Sequence, residues 1–357
     1  MVVGLLLGAV ACGSSNTGST GPGTTVDPAK VYADCQSPDT AKATALVDTS
    51  KFKKAPPWKI GLAAGYLSND GWIAYFIQEI KYHASTNPNI SKVIVTDAKF
   101  NASKQISDIE DLITQGVSAI IYYPVDQTAL KTVIDKANAA GIATIESAVG
   151  FTDMGTSSVD IDYYTLPVLS DVHLMQSLKG QGKIIQVLPT AGTVAEQREK
   201  DALQCVLSHY PNVQLLAAEH GNFNTPDAKK VAQALLQRFP QIDGIASVWG
   251  EQDLGIASAF LAADRLKNVT FAPANEPNGW LKWLIDHPDK NNGIVTGPVT
   301  LGGLAVQQTV KILNGEQISK GVFQDSKYIE PGQISSIYNA GKSDSYYFND
   351  MPANWQP

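Results

Sequence analysis

The stretch Trp58-Lys59-Ile60-Gly61-Leu62-Ala63-Ala64-Gly65-Tyr66-Leu67-Ser68-Asn69-Asp70-Gly71-Trp72 changes its period midway. Residues 59–64 form an apolar run of strand length, and residues 65–71 form a loop bounded by glycines. From there Trp72, Phe76, Ile80 and His83 recur at the spacing of one helical face. A strand, a loop and an amphipathic helix in that order are the unit of a parallel sheet wrapped by helices.

The unit repeats outward from this point. Strands are expected at residues 92–97, 119–123 and 142–147, separated by helices that turn Ile106, Ile109, Leu112 and Ile113, then Leu130, Val133, Ile134 and Ala137, inward. A second series follows, with strands at 183–188, 213–218, 244–249, 269–272 and 293–296 and helices between them. Thr193 and Glu196 have the spacing of a capping box, and Thr225-Pro226 reads as an N-cap with proline at the first helical position. The expected fold class is therefore α/β, with two Rossmann-like lobes of parallel strands. Ligands of such sheets sit beyond the carboxyl ends of the strands, so the loops after strands carry the candidate site.

Those loops combine flat aromatic surfaces with planar polar side chains, the two things a sugar's C–H faces and hydroxyls require. The candidate ligand-binding residues are Tyr66, Asn69, Asp70, Trp72, Glu146, Arg198, Phe223, Asn224, Trp249, Glu251, Asn275 and Glu276. Structural roles compete at several of them. Trp72 and Trp249 could be core residues, Asn69 or Asp70 an N-cap, and Asn275 or Glu276 a cap before Pro277. Arg198 lies in the second turn of its helix, where the macrodipole disfavours a cation, whereas Arg238 and Arg265 lie at helix ends that favour one. That contrast marks Arg198 as a ligand contact.

Composition narrows the function classes. Of 357 residues, 44% are hydrophobic and 17% charged, the balance of a chain with a sizeable core. A net charge of −7 without basic runs argues against a nucleic-acid partner and an electrostatic membrane patch. There is no Walker A loop, no GxGxxG after a strand, no HExxH and no GxSxG, and the five histidines are scattered. No enzyme activity, cofactor or metal is expected.

Residues 2–11 are small and apolar and end in Ala9-Val10-Ala11-Cys12, which resembles the lipobox of a bacterial lipoprotein signal, although no Lys or Arg precedes it. Cys12 is the expected lipidation site. The Gly/Ser/Thr stretch of residues 13–25 reads as a flexible tether, and residues 27–55 as a helical lead-in. Cys35 and Cys205 remain, a disulfide candidate in an oxidising compartment, with two free buried thiols as the alternative.

The order and spacing of these elements resemble the type I periplasmic binding proteins of the ribose and galactose class, which serve ABC importers. Local matches are Ile60-Gly61-Leu62, Ser68-Asn69, Val117-Ser118-Ala119-Ile120-Ile121, Ala139-Ala140-Gly141-Ile142, Gly192-Thr193 through Arg198, Glu251 to Ala257, and Leu313-Asn314-Gly315-Glu316. The resemblance implies a three-strand hinge, near residues 148–154, 273–278 and 296–300, and a cleft that closes on its ligand without catalysis. It places ligand contacts at Asn69, Trp72, Arg198 and Phe223, and sets Asn275 where the family often has Asp. Where the family often carries Asp-Arg this chain has Glu146-Ser147, where it has Asn-Asp this chain has Gly250-Glu251, and where Gln is common it has Gly297-Pro298. Those departures point away from ribose and common hexoses.

The implied division is a lipoprotein signal at 1–12, tether and lead-in at 13–57, an N-terminal lobe of 58–150 plus 298–320, a C-terminal lobe of 151–297 plus 321–345, and a tail at 346–357. The implied role is an exported, lipid-anchored, monomeric solute-binding protein that hands a small sugar or polyol to an ABC permease. The alternatives are a ligand-sensing lipoprotein for a membrane receptor and a binder of a non-sugar polar molecule.

Overall fold

The computed structural model describes residues 26–69, 71–290, 292–349 and 351–357. Cys12 and the tether, like Asp70, lie outside the described residues.

The lead-in holds helices α1 (Pro28–Asp34) and α2 (Thr40–Ala43) and strand β1 (Leu46–Val47). β2 (Trp58–Ala64), α3 (Gly71–Thr86), β3 (Ile90–Asp97), α4 (Ala102–Thr114), β4 (Ala119–Tyr123), α5 (Gln127–Ala139), β5 (Ala143–Ser147) and β6 (Ser157–Ile161) follow. The second series runs through α6 (Thr165–Ser177), β7 (Gln181–Leu188), α7 (Val194–Ser208), β8 (Asn212–His220), α8 (Thr225–Arg238), β9 (Gly244–Ala246), α9 (Gly250–Ala262), β10 (Thr270–Phe271), α10 (Asn278–Asp286) and β11 (Ile294–Val295). The chain then returns through α11 (Leu301–Asn314), β12 (Ile318–Ser319) and β13 (Gly321–Gln324), and ends with β14 (Tyr328–Ile329) and α12 (Ile334–Ile337).

Two parallel sheets result. The first has the order β13-β6-β5-β4-β2-β3 and the second β10-β9-β7-β8. Alternation along β2 explains the layering of the first lobe. Ile60, Leu62 and Ala64 join Phe76 and Ile80 of α3 and Leu301 and Ile312 of α11 on one face. Ala63 faces Ile109, Leu112, Leu130 and Ile134 of α4 and α5 on the other. Gly61 permits that second face to close, because a Cβ there would lie 2.9 Å from Leu112 Cδ1. In the second lobe α8, α9 and α10 cover one face, around Ile185, Phe260 and Trp280, and α6, α7 and α1 the other, around Ile184, Met175, Val206 and Val31.

Two strands stand apart from the expected lobe borders. β6 and β13, expected in the second lobe, pair with each other and β6 with β5, so both belong to the first sheet. Ser157-Ser158-Val159-Asp160-Ile161 lacks the apolar run of a buried strand. Two of its three polar side chains are instead satisfied inside: Ser157 Oγ donates to Lys320 O at 3.0 Å, and Asp160 accepts from the Val149 and Gly150 amides at 3.0 and 2.8 Å, whereas the buried Ser158 hydroxyl has no partner among the described residues. The crossovers between lobes accordingly fall at residues 162–164, 296–300 and 325–327. Only 296–300 coincides with an expected hinge. Residues 148–154 precede β6 within the first lobe, and 273–278 stay within the second, where Asn275 N donates to Val248 O and Ala274 bridges Ile294.

Cys35 and Cys205 are bonded to each other, fixing the end of α1 to α7. Further along the lead-in, Ser37 Oγ donates to Asp162 Oδ1 at 3.1 Å, β1 pairs antiparallel with β12, and Phe52 packs in the first lobe's core. The segment thus touches both lobes. Among the described residues no helix is long and apolar enough to cross a membrane.

Candidate functional site

The carboxyl ends of both sheets face a cavity of about 620 Å³, within the size range of small-molecule sites. The first lobe contributes Tyr66, Ser68, Gly71, Trp72, Ile73 and Ala148, and the second Phe223, Asn224, Thr225, Pro226, Trp249, Glu251 and Asn275. Ile161 and Tyr163 stand at the first crossover, and Ser345 and Tyr347 reach in from the C-terminal segment.

Each aromatic wall is held from behind. Tyr66 stacks on Phe100 with ring centroids 4.1 Å apart and meets the edge of Tyr123. Trp72 stacks on Phe76 one helical turn along α3, and its indole N–H donates to Gly297 O at 2.8 Å, tying α3 to the second crossover. Trp249 donates its indole N–H to Glu199 Oε1 at 2.8 Å and packs against Phe223 and Tyr163. The two indole donors are therefore consumed within the protein, and what they offer a ligand is ring surface.

Most of the planar polar groups are also committed. Asn275 Oδ1 accepts from Gly250 N at 2.7 Å. A Cβ at position 250 would lie 2.7 Å from Asn275 O, so only glycine lets these two loops meet. Asn224, rather than the expected Thr225, is the N-cap of α8, accepting from Asp227 N at 2.9 Å. Thr225 Oγ1 donates to Glu251 O at 2.7 Å, and Tyr347 donates its hydroxyl to the Glu251 carboxylate. Burial pushes the carboxyl of Glu251 up, against the lowering pull of the Tyr347 hydrogen bond. Behind the wall, burial also raises Glu276 to about 7 and drives Glu199 and Asp253 up. The hydroxyls of Tyr66 and Tyr163 have no hydrogen-bond partner among the described residues. No Lys, Arg or His among the described residues lines the cavity.

Of the residues expected at the site, Tyr66, Trp72, Phe223, Asn224, Trp249, Glu251 and Asn275 line the cavity. Asn69 is exposed and not part of the lining. Arg198 needs correction. Its guanidinium clasps Asp39 of the lead-in through Nε and Nη2, both at 2.6 Å, outside the cavity lining, so a protein carboxylate takes the contact expected of the ligand. Glu146 and Glu276 are likewise buried beneath the surface. Glu146 accepts from Thr152 and, at 3.3 Å, from Gln127, while Glu276 accepts from Gly297 N at 2.9 Å. Tyr163 and Tyr347 were missed in the sequence. Neither follows a strand end that reads as such, and the pair Tyr346-Tyr347 is the only signal that could have drawn attention to the tail.

Residues 60–317 match the family described as periplasmic binding protein domain. This chain belongs to that family. Its members work outside the cytoplasm and bind solutes without transforming them. Among curated relatives, the chain is 25% identical to the ribose import binding protein RbsB of Bacillus subtilis over 65% of this chain and 74% of that one. It is 27% identical to the xylitol-binding protein of Mycolicibacterium smegmatis over 53% of this chain and 56% of that one. Among solved structures, an ABC transporter solute binding protein from Mycobacterium smegmatis with bound glycerol superposes with a TM-score of 0.72 at 21% identity, covering 83% of this chain and all (100%) of that one. One from Bacillus halodurans with bound myo-inositol gives 0.70 at 20% identity, covering 79% and 98%.

Proposed function

We propose that this family member is the solute-binding component of an ABC importer, taking a small sugar or polyol between its lobes and presenting the closed form to a membrane permease. The observation that carries this reading is the cavity walled jointly by Tyr66 and Trp72 of one lobe and Phe223, Trp249 and Glu251 of the other. A ligand gripped by both lobes binds the closed arrangement better than the open one, which is the condition for shifting that equilibrium. The names of the relatives, ribose and xylitol binders among them, support the ligand class.

The polar groups that can face a ligand, the hydroxyls of Tyr66 and Tyr163 and the Glu251 carboxyl, which already accepts from Tyr347, are few for a fully hydroxylated hexose. They suit a polyol, or a sugar with few free hydroxyls, whose C–H faces lie on the rings. A thermal-shift and native mass spectrometry panel of ribose, xylitol, myo-inositol, glycerol, deoxy sugars and hexoses tests this. A member present at about 100 times its Kd stabilises the fold by about 2.7 kcal/mol. No shift and no bound mass with any member overturns the reading.

Anchoring through a lipid on Cys12 belongs to the same proposal, and Cys12→Ser is expected to move the protein from the membrane fraction to the medium or periplasm. Retention of that variant in the membrane refutes the anchor.

A further inference from the structure

Only residues 346–357 were expected to be a tail, yet the whole segment from Asn339 to the C-terminus is seated on both lobes. On the second lobe the seat is the start of α10. Asn278, 1% exposed, donates from Nδ2 to the carbonyls of Asn339, Lys342 and Ser343 at 3.0, 3.2 and 3.2 Å, and its Oδ1 accepts from Asn339 N at 3.0 Å. Asn278 N and Gly279 N donate to Tyr346 O and Asp344 O at 2.9 and 2.8 Å. A Cβ on Gly279 would lie 2.9 Å from Asp344 Cβ, so the helix is cut away to receive the strand of chain.

On the first lobe the seat is α3. Tyr346 meets Tyr75 edge-on with centroids 5.6 Å apart, Tyr347 lies 6.5 Å from the same ring, and Trp355 lies 5.6 Å from Tyr82. Val299 of the second crossover and Met351 complete that apolar cluster. Between the two seats Tyr347, 1% exposed, turns its hydroxyl to Glu251, with Asn275 Nδ2 at 3.5 Å, and forms part of the cavity wall.

We infer that the C-terminal segment is an inter-lobe clasp built into the binding site, with Asn278 as its anchor and Tyr347 as the residue that positions Glu251 and bounds the cavity. A bare hinge lets the lobes swing on three crossover strands. A segment buried against α10 on one side and α3 on the other couples their motion and shapes the space between them. The wall function rests on the proposed sugar or polyol reading, whereas the clasp does not.

Amide hydrogen exchange on the ligand-free protein separates the two. Asn278 lies outside the cavity, so Asn278→Ala frees the segment without touching a ligand contact. Exchange in both α3 and α10 is expected to rise about tenfold or more in Asn278→Ala and in a chain ending at Tyr338. Faster exchange in α10 alone, or in neither helix, overturns the clasp. Should both of these fail to fold, Trp355→Ala at the far end of the segment gives the same readout through Tyr82 in α3. Tyr347→Phe keeps the ring packing and is expected to leave exchange within about twofold of wild type, while lowering affinity for the panel's best ligand about threefold to tenfold. Tyr347→Ala is expected to lower it further. Unchanged affinity in both substitutions overturns the positioning role. A wild-type chain that binds no member of the panel overturns the sugar or polyol reading and the wall function resting on it, and the exchange result still decides the clasp.

Discussion

The two ends of the folded body both cross between the lobes, and they do so with different chemistry. The N-terminal lead-in is held by a covalent bond, Cys35 to Cys205, and by the Asp39–Arg198 ion pair, before β1 adds itself to β12. The C-terminal segment is held by the neutral amide of Asn278 and by the rings of Tyr75 and Tyr82. The difference follows from what each passes. Arg198 keeps 24% of its side chain exposed, so its charge retains some water. The tail borders a cavity walled in part by the buried Glu251 carboxyl, with Glu276 behind it, where a further ion would be expensive to desolvate and a phenol or an amide is not. Attachment far from the ligand can thus be strong and charged, while attachment beside it is neutral and adjustable.

The largest test of this contrast is the disulfide. Cys35→Ser with Cys205→Ser is expected to lower unfolding free energy by about 2–5 kcal/mol, read from the urea midpoint. Reductant should reproduce the loss in the wild type and leave the variant unmoved. Exchange in α10 below the unfolding transition should stay unchanged, because the lead-in does not seat there; a rise would merge the two straps into one unit.

Next comes pH, which acts on the ground the straps bridge. Burial raises Glu146, Asp160 and Glu276 each to about 7, above their unfolded values near 4. The folded state therefore binds more protons than the unfolded one between those values. Stability is greatest below about pH 4.5 as far as these groups are concerned, and it falls as pH rises to about 7, by about 1–3 kcal/mol per group. Melting temperature should drop from pH 5 to pH 8, and Glu276→Gln should flatten part of that slope. A curve that rises over this window contradicts the assignment.

Asp39→Ala should cost about 1–3 kcal/mol by leaving Arg198 half-buried without its partner, and the loss should shrink in high salt. Tyr346→Ala, lacking any charge, should show no such salt dependence. Smallest is Lys30→Ala, which removes the exposed Lys30–Asp34 pair on α1 and should leave the midpoint of the same urea titration essentially unmoved.

Much of the architecture was legible in the chain because its signals are local. Helix caps such as Thr193, which accepts from Glu196 N at 3.1 Å, and apolar stripes such as Phe76 and Ile80 act over one or two turns. β6 escaped notice because its stability comes from pairing and from polar groups satisfied by distant partners, not from an apolar run. At the site, the aromatic residues after strands were readable as ring surface. Whether Asn224 or Glu276 faced a ligand or a backbone amide was not, since both are open to either partner until the neighbours are known.

By itself the amino-acid order determined two α/β units, their parallel strands and the loops at their carboxyl ends, since period and capping are properties of contiguous residues. Tertiary structure alone decided which side chains line the cavity and which are consumed within the protein. Arg198 meets Asp39 across 159 positions, and Tyr347 meets Glu251 across 96. Such pairs depend on the folding of everything between them, and no local pattern encodes which distant carboxylate will satisfy a given donor.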